Sequence, residues 1–150
     1  MTNDKQPLPF SLENRQRKIS FNKDHVQKIV EKAYPLCLVA ARHHRKNGKL
    51  PPSLEVTIVS DRTIAAVHKD FMGIEGPTDV ITFPYGEIVI SAETARRNAR
   101  HFENRIEAEL ALYVIHGILH LLKFDDKAPN DASLMRKEQQ KILKAVCRKI

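Results

Sequence analysis

The stretch that decides the fold is VITFPYGEIVI, residues 80–90. Two runs rich in β-branched residues, 80–83 and 87–90, are separated only by the Pro-Tyr-Gly segment 84–86. Such runs with proline and glycine between them are typical of strands joined by a tight turn. Because so short a connection can only reverse the chain, the two strands must be antiparallel. The sequence therefore predicts a β-hairpin in the second half of the chain.

The segment before the hairpin indicates a strand followed by a helix. Leu54, Val56 and Ile58 alternate with their neighbours, which is the pattern of a strand over residues 54–59. Ser60 and Asp61 then supply a cap for a short helix that we expect to reach Lys69. The glycine-bounded segment from Met72 to Gly76 is predicted to be a loop.

Four further helices are predicted from apolar residues spaced three and four apart and from cap residues. They cover residues 24–45, residues 91–102 with Ser91 as cap, residues 105–122, and a last helix capped by Asn130 and Asp131. Pro35 lies inside the first of these helices, so we expect a kink or a break there. Residues 1–20 are polar with two prolines and are predicted to be an irregular or strand-like lead-in.

Length and composition indicate one domain over residues 1–150, since 150 residues with 42% hydrophobic content suit a single core. No apolar run approaches the roughly 18 residues of a membrane span, and the first residues lack the apolar centre of a secretory signal. We therefore expect a cytoplasmic protein without membrane contact. Cys37 and Cys147 form no CxxC pair and are predicted to be buried thiols.

The charge distribution favours a polyanionic partner. The net charge is +7, and residues 1–50 carry 11 Lys and Arg against 4 Asp and Glu, whereas the remaining 100 residues are balanced at 14 against 14. A basic segment of this kind attracts nucleic acid, although a solvated basic helix would have the same composition. Composition thus suggests RNA or DNA as a partner and leaves a purely structural explanation open.

Two histidines four residues apart form the main chemical feature. His116 and His120 lie about 40° apart around a helix axis, because four steps of roughly 100° exceed one turn by that amount. Both imidazoles can therefore reach one ion, and zinc in catalytic sites typically has three protein ligands and one open position. Asp126, just after the helix, is our choice for the third ligand, with Asp125 as the alternative.

The neighbours of the two histidines favour a metal site over a structural role. Ile115, Ile118 and Leu119 would bury imidazoles at a desolvation cost without an evident partner, which coordination would provide. Histidines at this spacing can also be ordinary core or surface residues. A metalloprotease helix would carry glutamate at the position of Gly117 as general base, so the sequence disfavours a peptidase.

The segments GPTDVITFP (residues 76–84), GEIVIS (86–91) and HGILHLLKFDD (116–126) share a pattern with known proteins: they resemble the YbeY family of bacterial endoribonucleases. HGILHLLKFDD, residues 116–126, resembles the family signature H-G-x-L-H-L-x-G-Y-D-H. GPTDVITFP, residues 76–84, is similar to the family's K-P-T-D-V-L-S-F-P strand, and GEIVIS, residues 86–91, is similar to G-D-I-V-I-S. The three motifs occur in the right order, and the resemblance covers roughly residues 54–145.

The resemblance implies an α+β fold of the α/β sandwich type. Its sheet would be small and mixed, with about four strands flanked by five or so helices, one of them a zincin-like metal helix. It also implies a single Zn²⁺ ion, no small-molecule cofactor, and a role in ribosomal RNA maturation and ribosome quality control. The implied partners are ribosomal RNA and the ribosome or proteins of its small subunit.

Three departures from the family pattern bear on the site. Asp126 stands where the family has its third histidine, and a carboxylate would make the ion less positive. Met72 stands where the family's loop ends in an arginine thought to engage the RNA phosphate, or it simply fills the core. Lys123 and Phe124 replace the glycine and tyrosine of the family pattern. The chain therefore lacks a residue suited to an unusual backbone angle and also lacks a phenol hydroxyl here.

The leading hypothesis is a metal-dependent endoribonuclease that cleaves single-stranded RNA, with His116, His120 and Asp126 as both metal ligands and catalytic residues. The alternative is a ribosome-associated RNA-binding factor with a structural zinc and little or no catalysis. A chelator that slows activity without unfolding would favour the enzyme, and a site that melts on chelation would favour the binding factor.

Four further residues are predicted to contact RNA. Lys69 or Arg62 would replace the missing arginine, Thr78 would touch the substrate, and Asp79 would bind RNA or orient water. Each also has a plainer interpretation: Asp79 would cap backbone amides at the strand end, and Thr78 would bond locally.

Overall fold

The computed structural model describes residues 9–147 and forms four strands and five helices in them. The elements are β1 (Phe10–Asn14), α1 (Lys23–His43), β2 (Leu54–Val59), α2 (Asp61–Met72), β3 (Val80–Phe83), β4 (Glu87–Ser91), α3 (Ala92–His101), α4 (Ile106–Leu121) and α5 (Pro129–Cys147). The strands form one mixed sheet, and the predicted α+β fold is confirmed.

The sheet has the strand order β1-β2-β4-β3. β1 and β4 both run parallel to β2, whereas β3 pairs antiparallel with β4 and places Val80 opposite Ile90 and Phe83 opposite Glu87. The predicted hairpin is therefore confirmed, and β3 lies at an edge of the sheet. The strand-like lead-in is confirmed for residues 10–14, while its residues 1–8 lie outside the described part of the chain.

Alternation along the strands separates two apolar layers. Ile88 and Ile90 point into the main core with helices α1, α4 and α5, whereas Val89, between them, packs on the opposite face with Ile64 of α2. Because each fully buried aliphatic side chain contributes about 1.5–3 kcal/mol, the larger layer fixes α4 against the sheet. Although most residues of α4 are buried, none of the helices within residues 9–147 combines the length and apolar character needed to cross a bilayer.

Helix α1 differs from the prediction at Pro35, since the helix runs through this residue without a break. Proline removes one hydrogen bond and costs about 3 kcal/mol in a helix interior. Ala33 and Cys37 on either side are fully buried, so packing of this face keeps the helix continuous. The prediction that both cysteines are buried is confirmed for Cys37, and burial raises the pKa of its thiol to about 12. Cys147 is only half buried, so the prediction was wrong for this residue.

Two helix boundaries also differ. α2 continues through Met72, which was assigned to the loop, and ends where Gly73 adopts a left-handed conformation with φ of 67°. Glycine carries no steric penalty in this conformation, so it stops the helix. α5 begins at Pro129, one residue before the predicted caps, because the fixed φ of proline suits the first position of a helix.

Candidate active site

Helix α4 presents His116 and His120 on the same face. Their rings are nearly parallel, with an interplanar angle of 6° and 6.4 Å between centroids. His116 is half buried, and His120, one turn later, is exposed near the end of the helix. The shared face predicted from the four-residue spacing is therefore present, and it opens toward solvent at His120.

Gly117 brings this part of α4 close to the sheet. A Cβ atom added there would lie 2.8 Å from Cδ1 of Ile88 and 3.1 Å from Oγ1 of Thr82. Since Ile88 is fully buried, a larger side chain would have to displace part of the packed core. A glutamate at this position, as in a metalloprotease helix, would therefore require the side chain of Ile88 to shift.

Helix α5 orients the ring of His116. Its Nδ1 lies 2.9 Å from Oε1 of Gln139, and because an amide oxygen only accepts, Nδ1 is the donor in this contact. In the neutral ring Nε2 would then carry the lone pair. A partner on the far nitrogen is the usual companion of a metal-binding histidine. The preceding residue, Glu138, makes a similar contact to the C-cap of α1, with 2.7 Å between its Oε1 and Nε2 of His44.

The bend after α4 brings Asp126 back toward His116. The amides of Lys123 and Phe124 bond to the carbonyls of His120 and Leu119, and Lys123 adopts φ of 80°. Buried Phe124 then anchors the bend in the core. As a result, Oδ2 of Asp126 lies 3.8 Å from Nε2 of His116.

The two candidate carboxylates of the bend have different contacts. Oδ1 of Asp125 accepts a hydrogen bond of 3.1 Å from the amide of Lys127, which is a local turn contact. Asp126 instead faces the histidine, with 48% of its side chain exposed. Of the two acids considered from sequence, the structure thus places Asp126 beside the imidazole.

A cavity of about 460 Å³ joins these side chains to the edge strand β3. It is lined by Phe71, Met72, Val80, Ile81, Thr82, Phe83, His116, His120, Asp126 and Lys127. All three predicted metal ligands therefore share one cavity. Met72 is 57% exposed at its rim, so the interpretation of Met72 as a core-filling residue was wrong.

The donor set suits zinc, which accepts imidazole nitrogen and carboxylate oxygen. Within residues 9–147, no three histidine, cysteine, aspartate or glutamate side chains are yet gathered closely enough to hold an ion. The side chains of His120 and Asp126 would have to move inward. Both are solvent-accessible at the cavity, and Nε2 of His116 already points to Asp126.

The four predicted RNA contacts lie outside the cavity lining. Lys69 is exposed and forms an ion pair of 3.3 Å with Glu75, and Arg62 is exposed in the first turn of α2. Asp79 accepts the amide of Val80 at 2.8 Å, and the Thr78 hydroxyl donates to the same carboxylate at 3.4 Å. The plainer interpretations of Thr78 and Asp79 are thus supported by contacts.

Sequence reasoning missed a buried polar cluster in the first half of α4. Glu109 and Tyr113 are hydrogen-bonded to each other, and Nδ2 of Asn98 donates to the Tyr113 hydroxyl at 2.8 Å. Burial raises the pKa of the Glu109 carboxyl despite the hydrogen bond from Tyr113, which lowers it. An apolar segment of the sequence carries polar residues at helical spacing, namely Glu109, Tyr113, His116 and His120. This stripe is the signal from which the cluster could have been predicted.

The motif resemblance is supported by comparison with known proteins. The family model described as "Endoribonuclease YbeY" matches residues 11–147. Proteins named Endoribonuclease YbeY are 34% identical over 116 residues in an Anaeromyxobacter species and 37% identical over 100 residues in Helicobacter pylori. These matches cover 71% and 61% of this chain, and 60% and 70% of the respective relatives. The chain thus spans about three fifths of the Anaeromyxobacter protein.

The fold also matches a solved structure. The solution structure of TM1509 from Thermotoga maritima superposes with a TM-score of 0.57 at 28% identity, covering 91% of this chain and 88% of that one. The family match extends from β1 to the end of α5 and therefore includes every element that shapes the cavity. The chain belongs to the YbeY family of endoribonucleases.

Proposed function

We propose that this chain is a single-domain, metal-dependent endoribonuclease that cleaves single-stranded RNA, with one Zn²⁺ bound by His116, His120 and Asp126. The observation that carries the proposal is the 3.8 Å approach of Oδ2 of Asp126 to Nε2 of His116 in a cavity that also contains His120. Family membership supplies the RNA substrate class. The continuous core, which includes residues from Leu12 to Val146, supports a single domain.

Each side chain has a distinct task in this proposal. A bound zinc ion would supply Lewis-acid chemistry, lowering the pKa of bound water and offsetting charge on phosphoryl oxygens. Gln139 holds the His116 ring so that Nε2 faces the cavity. Lys127 lines the same cavity and would attract the RNA backbone, while Lys69, Arg62, Thr78 and Asp79 remain predicted RNA contacts from outside it.

The cellular role we propose is ribosomal RNA maturation and ribosome quality control in the cytoplasm. The partners would be ribosomal RNA and the ribosome, including proteins of its small subunit. The net charge of +7 supports a polyanionic partner, since a basic surface accelerates association with RNA. The family name supports endoribonuclease activity. The proposed role at the ribosome rests on the resemblance of the three sequence motifs to this family.

The test compares the wild-type chain with His116→Ala and with His101→Ala, an exposed histidine on α3 that serves as control. We expect about one equivalent of zinc in the wild type and in the control, and cleavage of single-stranded RNA by both. His116→Ala should lose metal and cleavage while its melting temperature stays close to that of the wild type. Undiminished cleavage by His116→Ala would rule out the metal site.

The second candidate is an RNA-binding factor with a structural zinc. The observation that favours it is the apolar side chain of Met72 at the cavity rim, where it provides no charge to a phosphate. Chelation separates the two candidates. Loss of cleavage at an unchanged melting temperature supports the enzyme, whereas unfolding on chelation, without prior cleavage activity, supports the structural role.

A further inference from the structure

Three aromatic rings form a continuous row beside the candidate active site. Phe71 at the end of α2 meets Phe83 at the end of β3 edge to face, with 5.3 Å between centroids and an interplanar angle of 80°. Phe83 in turn stacks on Tyr85 of the β3–β4 turn at 5.5 Å and 24°. We call Phe71, Phe83 and Tyr85 the aromatic row.

Both ends of the aromatic row are unusually exposed for aromatic side chains. Phe71 is 70% exposed and Tyr85 is 68% exposed, and their neighbours Met72 and Ile74 are 57% and 48% exposed. Contiguous exposed apolar surface on a folded protein commonly marks a binding site. The Tyr85 hydroxyl donates a 2.6 Å hydrogen bond to Glu87, which restrains the ring within the row.

The aromatic row is continuous with the cavity that contains the histidines. Phe71 and Phe83 line this cavity together with His116, His120 and Lys127. A ligand held at the histidines would therefore have ring surface on one side of it and a lysine within the same lining. Ring faces and a cation side by side suit a ligand that combines flat bases with a negatively charged backbone.

We propose that the aromatic row is a stacking platform for unpaired RNA bases next to the site of cleavage. The inference rests on the proposed function and adds a base-binding subsite to it. Stacking needs a free base face, so the platform would accept single strands and exclude paired bases, with little preference among the bases. Lys127, in the lining of the adjoining cavity, places a cation near the rings and favours this polyanion over an apolar peptide as the occupant.

Binding measured without cleavage tests the platform. Phe71→Ala and Tyr85→Ala are compared with Phe102→Ala, which removes an equally exposed ring, 63% accessible, that packs on His101 of α3. The probes are an end-labelled single-stranded RNA, an abasic oligomer of the same length and a duplex, all in chelator. Because each variant removes one ring on which a base can stack, we expect it to bind the single strand about 10-fold more weakly.

A direct reporter is available because the chain contains no tryptophan. In Phe71→Trp, base stacking should quench the new fluorescence on addition of single-stranded RNA, but not of the abasic oligomer or the duplex. Phe102→Trp should show no such difference. Fluorescence that changes on dilution in the absence of RNA would instead assign the patch to a second copy of this chain and overturn the proposal.

The outcomes separate the platform from the nuclease. Cleavage by the wild type together with equal binding of normal and abasic oligomers would overturn the platform alone. Base-dependent binding that is lost in Phe71→Ala and Tyr85→Ala but kept in Phe102→Ala supports the platform, even if the wild type cleaves nothing. Equal losses in all three variants would also overturn it.

Discussion

Gln139 accepts a hydrogen bond of 2.9 Å from Nδ1 of His116, so a residue of α5 sets the orientation of a predicted metal ligand on α4. The two residues are 23 positions apart in sequence. The contact leaves Nε2 as the only free nitrogen of the ring, and this nitrogen faces Asp126.

Replacing Gln139 with Leu should weaken zinc binding about 10- to 100-fold, because the His116 ring would lose the partner that fixes its orientation. Zinc affinity is measured by competition with a coloured chelator. The control is Gln140→Leu, at the exposed neighbouring position on the same helix, which should bind zinc like the wild type. Equal affinities of the two variants would show that the hydrogen bond has no influence on the metal.

Asp126→Asn should reduce zinc affinity at least 10-fold, since it removes the negative charge nearest to Nε2 of His116. Asp125→Asn is the matched control, because this neighbouring acid accepts the Lys127 amide in a local turn and its amide oxygen can do the same. Isothermal titration with zinc compares the two variants. A larger loss in Asp125→Asn would identify Asp125 as the ligand.

Gly117→Ala should destabilise the fold by about 1–3 kcal/mol, because its Cβ would lie 2.8 Å from Cδ1 of buried Ile88. The helix-propensity gain of alanine, about 1 kcal/mol, offsets part of a larger clash. Chemical denaturation measures the loss. The double variant Gly117→Ala with Ile88→Val removes Cδ1 and should be more stable than the sum of the two single changes predicts. Simple additivity would contradict the proposed clash.

Lys123→Gly should stabilise the fold by about 1 kcal/mol, because Lys123 has φ of 80° and glycine carries no penalty in this conformation. Lys137→Gly, at an exposed position of α5, is the contrasting change and should destabilise by about 1 kcal/mol. Thermal melts of both variants check the prediction. Destabilisation by both changes would show that the bend does not strain Lys123.

Asp61→Asn should lower stability at neutral pH by about 1 kcal/mol. Burial raises the pKa of Asp61, but hydrogen bonds from Arg97, Ser91 and Thr94 outweigh this effect and hold the pKa below its usual value. A depressed pKa gives stability that is complete above the unfolded value of about 3.9 and disappears as the pH falls through the folded value.

The difference between wild type and Asp61→Asn should therefore be full at pH 7 and shrink below about pH 4. Urea denaturation at a series of pH values measures it. Glu55→Gln, at an exposed position of β2, provides a control for the loss of one negative charge. A pH-independent difference would mean that the Asp61 carboxylate is not held in its charged form.

The elements with strong periodicity were predictable from sequence, whereas contacts between distant elements were not. The hairpin of β3 and β4 and the face shared by His116 and His120 follow from local spacing. Pro35 remained inside a helix because tertiary packing outweighed the local cost. Gln139 carries no local signal, since its role depends on how α5 packs against α4. The aromatic row likewise depends on the approach of α2 to β3.

Consecutive residues of α5 hold two histidines from different parts of the chain: Glu138 contacts His44, the C-cap of α1, and Gln139 contacts His116 of α4. A single inserted residue upstream in α5 would rotate both by about 100° around the helix axis. Both imidazoles would then lose their partners in the same step, although the apolar face would also be displaced. The rotation of α5 about its own axis thus determines how the His116 ring is oriented in the cavity, although α5 itself contributes no lining residue to that cavity.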